Sequence, residues 1–401
     1  MPLLKKYYRY YYLLYPVALL FCMLPSGLDA QRPLAEMPIT IDNGLVNNEV
    51  TAIHQDKYGF LWLGTRGGLN RYNGYDFDLI RYAPGSTNNL SNQAVEVIAE
   101  DQHHTIWIGT KNGGLNSYDL LKDSILHYYP PDDINIQEIK SLAVDAKGRL
   151  FIGALHGLYI YEKGHFTVVN KQLTIYAIAV DKRGMVWTGT SMGLQFFDEA
   201  AMRLKRVDIG RGNHSITSLA ISEKKNTIYA GTWSAGLLIY DYLSGSGRQI
   251  EKGDPLAGDL DDNDTYRVYL DRSQDLWIGT WGGGLYKLDR QTEQIRKINI
   301  KPEDNYTTDY DIVLSIEQDA AGILCVVTDG GGLCKIDPFK KEFHSITHLS
   351  DNRGLPNTHV TAVFEDRKGG LWMGTRGGGL SYSSNKKDFT RIAPNYGGDI
   401  V

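Results

Sequence analysis

The chain has 401 residues, of which 42% are hydrophobic and 11% aromatic, enough for a packed core and unlike a disordered protein. Its net charge is −5 and it has no long run of lysine and arginine, which argues against a nucleic-acid partner because phosphate binding needs a basic surface. The 43 glycines and 26 tyrosines indicate many tight turns between aromatic-rich strands, a profile typical of all-β proteins.

Residues 1–30 have the pattern of a secretory signal peptide. Three cations lie within residues 5–9, a run of 12 apolar residues covers 13–24, and Ala30 is a small residue at the expected cleavage point. A helix of that length rises about 18 Å, too short to cross an apolar layer of about 30 Å. We therefore expect an exported, periplasmic protein. The alternative is an uncleaved signal peptide that anchors the protein in the membrane. If the signal is cleaved, only a downstream segment would contact the membrane.

Residues 50–82 predict four short strands separated by turns. The turn at 56–59 combines an aspartate, which can accept local amide hydrogen bonds, with a glycine that can adopt positive φ. We predict strands at 50–55, 60–65, 69–72 and 77–82. Alternating apolar residues in the second strand indicate that its two faces contact neighbouring sheets.

The same pattern recurs eight times. The centre of each second strand holds a residue of one series: Trp62, Trp107, Phe151, Trp187, Tyr229, Trp277, Cys325 and Trp372. Six residues before each lies an acid: Asp56, Asp101, Asp145, Asp181, Glu223, Asp271, Asp319 and Asp366. A repeat of roughly 40–50 residues is the period of propeller blades. We interpret the acids, glycines and tryptophans as turn and packing residues, not as a catalytic set.

These repeats predict an all-β fold, a β-propeller of four-stranded antiparallel blades around an axis. A single blade is too small to bury its central aromatic residue, so each repeat is expected to gain stability from its neighbours.

Three segments carry a resemblance to a known family. GLVNN at 44–48, DKYGFLWLGT at 56–65 and GLNRYNG at 68–74 resemble the two-component regulator propeller repeat, and the resemblance extends from residue 39 to about 393. It implies the periplasmic sensor region of hybrid two-component systems that control polysaccharide utilisation. In that family two seven-bladed propellers precede a β-sandwich, a membrane helix, a histidine kinase and regulator domains. The resemblance implies that signalling requires further domains beyond these eight repeats. The repeats themselves contain no kinase domain.

The number of blades has two interpretations. By family analogy we favour a signal peptide at 1–30, a seven-bladed propeller at 31–348, and an eighth repeat at 349–401 that begins an incomplete second propeller. The alternative is a closed eight-bladed ring in which the segment 39–41 pairs with the last blade. Closure is important because it removes exposed strand edges.

The turn between the second and third strands predicts a ligand-binding face. The residue after each Gly-Thr phrase lies on this turn: Arg66, Lys111, Leu155, Ser191, Trp233, Trp281, Asp329 and Arg376. Indoles can stack on the apolar face of a sugar while charged groups bind its hydroxyls. We predict an oligosaccharide site made by a subset of them: Arg66, Lys111, Trp233, Trp281, Asp329 and Arg376. The alternative is that the two tryptophans only pack on adjacent loops.

Other function classes fit the sequence less well. A glycosidase or lyase needs acids facing each other across one site, whereas the regularly spaced acids lie in turns at the opposite face. No zinc motif, phosphate loop or serine triad is present in the sequence, so we predict no enzyme activity, no cofactor and no metal. A protein-interaction scaffold that uses the same face, or a homodimer, stays open.

Cys325 and Cys334 form a candidate disulfide. They lie on adjacent predicted strands, and an exported compartment permits the bond. An offset of one residue in the strand register would instead place the two thiols on opposite faces. A pair of buried free thiols is therefore the alternative.

Overall fold

The computed structural model describes residues 38–86, 88–130, 136, 138–209, 213–300, 310–338, 355–357, 359–386 and 388–392. The expected signal peptide and the expected boundary at 348 lie outside these residues. The chain divides into two compact units, which meet in sequence after Pro338. Within the described ranges, no helix has the length and apolar character needed to cross a membrane.

The first unit consists of consecutive antiparallel sheets. A short 3-10 helix, Ile41–Asn43, precedes them. The first three sheets contain β1 (Val50–Gln55), β2 (Leu61–Thr65), β3 (Gly68–Tyr72) and β4 (Phe77–Ile80); β5 (Val95–Glu100), β6 (Ile106–Thr110), β7 (Leu115–Asp119) and β8 (Ser124–Tyr128); and β9 (Ile139–Val144), β10 (Leu150–Ala154), β11 (Gly157–Glu162) and β12 (His165–Asn170).

The next four sheets follow the same order. They contain β13 (Ile175–Val180), β14 (Val186–Thr190), β15 (Gly193–Asp198) and β16 (Arg203–Arg206); β17 (Ile216–Ser222), β18 (Thr227–Thr232), β19 (Leu237–Asp241) and β20 (Ser246–Ile250); β21 (Arg267–Leu270), β22 (Leu276–Gly279), β23 (Leu285–Leu288) and β24 (Ile295–Ile298); and β25 (Val313–Gln318), β26 (Leu324–Thr328) and β27 (Gly332–Ile336).

The hydrophobic core of the first unit lies between sheets. Each pair of neighbouring sheets encloses its own cluster of buried side chains. Trp62 of the first sheet, for example, packs against Tyr118 of the second, with ring centroids 5.0 Å apart. The prediction of an all-β propeller is confirmed. Neighbouring sheets bury the central aromatic residues, because a single repeat is too small to bury its own.

The seventh sheet packs directly on the first. Leu63 and Val327 share one buried cluster across this boundary. Ile39 forms an isolated β-bridge to β27, because its N–H donates to the carbonyl of Leu333 at 2.8 Å and the N–H of Leu333 donates back at 3.0 Å. Ile39 of the segment 39–41 thus pairs with the seventh repeat, whereas the eight-bladed alternative pairs this segment with the last one.

The second unit contains one sheet, formed by β28 (Val360–Glu365), β29 (Leu371–Thr375), β30 (Gly379–Ser383) and β31 (Thr390–Arg391). Its buried cluster is small and consists of Leu355, Met373 and Phe389. The innermost strand, β28, is exposed along its whole length.

The spaced acids of the repeat are explained by hydrogen bonds to the central indoles. Oδ2 of Asp56 accepts from Nε1 of Trp62 at 2.8 Å, while Oδ1 accepts from the N–H groups of Tyr58 and Phe60. Four other repeats have the same indole bond, from Trp107 to Asp101, Trp187 to Asp181, Trp277 to Asp271 and Trp372 to Asp366. One carboxylate therefore fixes both the turn and the core residue that follows it.

The candidate disulfide between Cys325 and Cys334 is not formed, and the two residues are instead the buried free thiols of the alternative. Cys334 lies opposite Val326 and Cys325 lies opposite Lys335, so the two thiols are offset by one residue. Because neighbouring positions on a strand face opposite ways, Cys325 packs towards the first sheet and Cys334 towards the sixth. Burial raises the pKa of each thiol to about 12.

Candidate functional site

The predicted turn residues occupy equivalent positions in every repeat. The N–H of Trp233 donates to the carbonyl of Ser215 at 2.9 Å, and the N–H of Trp281 donates to that of Asp264 at 3.0 Å. The same bond joins each remaining turn residue to the residue before its inner strand: Arg66 to Glu49, Lys111 to Ala94, Leu155 to Glu138, Ser191 to Thr174, Asp329 to Ile312 and Arg376 to His359. Within the first unit these turns therefore lie at the same end of the inner strands.

Trp233 and Trp281 come together in an aromatic cluster with Tyr266. Their ring centroids are 5.2 Å apart, and Tyr266 lies 5.8 Å from Trp233 and 4.8 Å from Trp281. The rings meet edge to face or tilted, which is a favourable aromatic geometry. Trp233 is 40% exposed and Trp281 37% exposed, so the Trp–Tyr cluster packs on itself and still presents indole surface to solvent.

The predicted charged residues are arranged differently. Arg66 forms an ion pair of 2.5 Å with Glu49 on its own repeat. Lys111 and Asp329 lie on equivalent turns but do not line the cavity beside the Trp–Tyr cluster. Arg376 belongs to the second unit. Within the first unit, Arg66, Lys111 and Asp329 therefore do not join Trp233 and Trp281 among the described contacts.

A β-bulge recurs in six inner strands of the first unit and directs one side chain of each. The ladder shifts between Val50 and Ala52 in the first sheet, and at the same place in other repeats. Such a bulge leaves one residue unpaired and re-aims its side chain. The bulged residues of the first unit are Thr51, Glu96, Lys140, Tyr176, Thr217 and Leu314. Tyr266 stands at the equivalent place in the sixth sheet, five residues before the repeat acid, and completes what we call the bulge ring.

A cavity of about 210 Å³ lies between the bulge ring and the Trp–Tyr cluster. Its lining residues are Glu96, Lys140, Tyr176, Ser215, Thr217, Trp233, Tyr266 and Arg267. They come from the inner strands of the second to sixth sheets and from the turn after β18. The cavity is therefore at the mouth of the propeller channel, on the face predicted from the turns.

The charged groups of the cavity are bound by protein partners. Nζ of Lys140 lies 2.8 Å from Glu138 and 3.4 Å from Glu96. Burial by itself would lower the pKa of Lys140, but the hydrogen bonds and charges of Glu138 and Glu96 outweigh it and raise that pKa. The lysine therefore stays an ammonium ion that joins the second and third sheets.

Arg267 links three sheets near the cavity. Its Nε donates to the carbonyl of Leu314 and its Nη1 donates to the carbonyl of Thr217 at 3.4 Å. Its guanidinium also lies 4.6 Å from the ring centroid of Tyr266. This cation–π contact fixes one member of the Trp–Tyr cluster.

The sequence contained a signal for the residues that the prediction missed. The residue before the bulge has an aliphatic side chain in each bulged strand, as at Val50 or Ile139. The bulged residue differs in size and charge between repeats, as Thr51, Lys140 and Tyr176 show. The polar members of this position, such as Glu96 and Lys140, stand out from the apolar pattern of the strand, whereas Leu314 packs in the core. Among the described residues, no group of histidine, cysteine and acidic side chains could hold a metal ion.

Comparison with known proteins agrees with these repeats. The family model described as two component regulator propeller matches residues 44–67 and 354–377. Two segments of the chain are thus two-component regulator propeller repeats. Histidine kinase P4 of Formosa agariphila is 40% identical over 67 residues, which is 16% of this chain and 5% of that kinase.

Solved structures show the same propeller fold. The extracellular domain of a hybrid two-component system of B. thetaiotaomicron superposes with a TM-score of 0.64 at 21% identity, covering 89% of this chain and 54% of that one. Virginiamycin B lyase from Staphylococcus aureus superposes with a TM-score of 0.57 at 12% identity, covering 72% of this chain and 95% of the lyase. The chain therefore spans about half the length of the hybrid-system domain, and the two likenesses establish the fold only.

Proposed function

We propose that this protein is the ligand-sensing propeller of a hybrid two-component regulator, that it is exported to the periplasm, and that its ligand is an oligosaccharide. The observation that carries the proposal is the exposed Trp–Tyr cluster at the edge of the channel-mouth cavity. Indole faces beside a few convergent polar groups are what sugar recognition needs, because a sugar ring has one apolar face and many hydroxyls.

Binding without turnover agrees with the arrangement of the acids. Glu96 is the single carboxylate among the residues that line the cavity, and it lies 3.4 Å from Lys140. Hydrolysis of a glycosidic bond ordinarily uses two carboxylates across the scissile bond. In the nearby loop, Asp261 accepts hydrogen bonds from Tyr286 at 2.5 Å and from Lys297 at 2.9 Å. We expect no new reducing ends when the purified protein is incubated with polysaccharides.

We also propose that residues 349–401 begin a second propeller. Val363 of β28 is 59% exposed, whereas Ile53, at the equivalent place in the first sheet, is 6% exposed and packs against the seventh sheet. An exposed apolar strand of this kind is what a further blade would cover.

The first test compares two ligand classes directly. The purified chain is applied to an array of oligosaccharides, and in parallel it is used to capture proteins from envelope extract. Saturable binding to one group of oligosaccharides supports the sensor. A specific protein partner together with an array on which no sugar binds would favour a scaffold and contradict the proposal.

A further inference from the structure

The bulge ring varies in side-chain chemistry from one inner strand to the next. It holds small polar, acidic, basic, aromatic and aliphatic side chains: Thr51, Glu96, Lys140, Tyr176, Thr217, Tyr266 and Leu314. The residue three places before the repeat acid is by contrast uniformly aliphatic, as in Ile53, Ile98 and Val268. The ring therefore varies in chemistry, whereas this neighbouring core position stays aliphatic.

The two threonines of the bulge ring donate hydrogen bonds to backbone carbonyls of neighbouring sheets. Oγ1 of Thr51 donates to the carbonyl of Val95 in the second sheet, and Oγ1 of Thr217 donates to that of Thr265 beside the sixth. Glu96, Lys140 and Tyr176 have larger polar side chains, which line the cavity together with Thr217 and reach it from three successive sheets. These three residues are available to a ligand in the cavity.

The charges around the cavity are already compensated. Lys140 is shared by Glu96 and Glu138, and the guanidinium of Arg267 is held by two backbone carbonyls and an aromatic ring. A carboxylate on the ligand would meet the two glutamates around Lys140, and a cation would meet Lys140 and Arg267. Desolvating such a charge without a free partner is costly, whereas hydroxyls can donate to Glu96 and accept from Lys140.

The size of the cavity also restricts the ligand. About 210 Å³ is smaller than the roughly 300–1,000 Å³ of pockets for drug-sized ligands. A single sugar residue fits this description better than a longer segment of a glycan. The exposed indoles of Trp233 and Trp281 would then contact the residues that extend from the cavity.

We propose that the bulge ring selects the ligand, and that the cavity takes one uncharged, hydroxyl-rich sugar residue of an oligosaccharide through Glu96, Lys140 and Tyr176. The inference rests on the proposed function, since it names the ligand class of the same site. The charged residues of the outer turns, such as Lys111, do not set this specificity.

The test uses the full chain and two sets of oligosaccharides of equal length, one neutral and one containing uronic acids. Calorimetry gives dissociation constants for the wild type, Tyr176→Phe and Glu96→Gln. Tyr75→Phe and Glu162→Gln are matched controls that make the same chemical changes at exposed residues, Tyr75 in an outer turn and Glu162 at the end of β11. Circular dichroism and thermal unfolding verify that each variant is folded.

We expect the wild type to bind a neutral oligosaccharide more tightly than its uronate counterpart. Tyr176→Phe should weaken neutral binding about threefold to tenfold, the effect of one lost hydrogen bond. Glu96→Gln removes a negative charge, so the preference for the neutral ligand should fall about tenfold or more. Neither control should change the dissociation constants.

The outcomes separate the inference from the proposed function. Tighter binding of uronate oligosaccharides by the wild type would overturn the ligand class. Neutral binding that neither Tyr176→Phe nor Glu96→Gln changes would overturn the role of the bulge ring and leave the sensor proposal standing. Failure of the folded wild type to bind any oligosaccharide would remove the proposed function itself.

Discussion

The imidazole of His54 in the first sheet lies 3.5 Å from a carboxylate oxygen of Glu317 in the seventh. Its other ring nitrogen lies 3.4 Å from Glu100 in the second sheet, and Glu100 also contacts His104 at 2.7 Å. A protonated His54 therefore joins three consecutive sheets across the point where the first and seventh sheets meet.

This cluster predicts a pH dependence of stability. Burial by itself would lower the pKa of His54, but the hydrogen bonds and charges of Glu317 and Glu100 outweigh it and raise that pKa above 6.5. The contribution of His54 is then complete below its unfolded pKa of about 6.5 and is lost as the pH rises through the higher folded value. Urea unfolding between about pH 6 and pH 8.5 should show His54→Gln costing most at the acid end. His103→Gln, at an exposed site, is the control, and an equal cost of His54→Gln at every pH would contradict the assignment.

Replacement of Ile39 should weaken the pairing with the seventh sheet. Ile39→Pro removes the N–H that donates to Leu333, and proline is poorly tolerated inside a paired strand. We expect a loss of about 1–3 kcal/mol in the free energy of unfolding and faster hydrogen exchange at Leu333. Ile39→Val keeps both backbone hydrogen bonds and should have little effect. Equal stability of the proline variant and the wild type would show that this strand does not close the ring.

The aspartate that binds an indole should be a large single contributor to stability. Asp56→Ala leaves the N–H groups of Trp62, Tyr58 and Phe60 without their acceptor, and the indole of Trp62 is fully buried. The expected cost is about 2–4 kcal/mol, measured by denaturant unfolding. Asp76→Ala, at an exposed turn position, is the matched control and should change stability by less than about 0.5 kcal/mol. Similar costs for the two variants would contradict the structural role of Asp56.

Much of the fold could be predicted from the sequence because it is a repeat. The second strand was predicted at 60–65 and begins at Leu61, and the first strand matches Val50–Gln55. The indole hydrogen bond to Asp56 was missed, since a spacing of six residues does not show which atoms meet. Only the register of β26 and β27, which a pattern cannot specify, decides whether Cys325 and Cys334 face each other.

The site was predicted in part. The position after each Gly-Thr phrase identified Trp233 and Trp281, because this residue lies on the same face in each repeat of the first unit. It missed Glu96, Lys140 and Tyr176, whose side chains enter the cavity through bulges. A bulge depends on how two strands pair, so a single strand's sequence reveals it only as an interruption of the apolar pattern.

The two thiols should be unreactive in the folded protein. Both are buried, and burial raises the pKa of each to about 12, which leaves almost no thiolate at neutral pH. We expect slow iodoacetamide labelling under native conditions and complete labelling of both after unfolding without reductant. Labelling of the unfolded chain that appears only after reduction would reveal a disulfide and contradict the register of β26 and β27.

Calorimetric titration of the folded wild type and of a Trp233→Ala, Trp281→Ala double variant is the most direct measurement of the central claim. The titrant is the neutral oligosaccharide that binds best on the array, and Tyr75→Ala, at an exposed turn, is the control. Loss of both indoles should weaken binding by at least about tenfold, or about 1.4 kcal/mol, while the control binds as the wild type does. A double variant that is folded and binds with the wild-type dissociation constant would contradict a sugar site at the channel mouth.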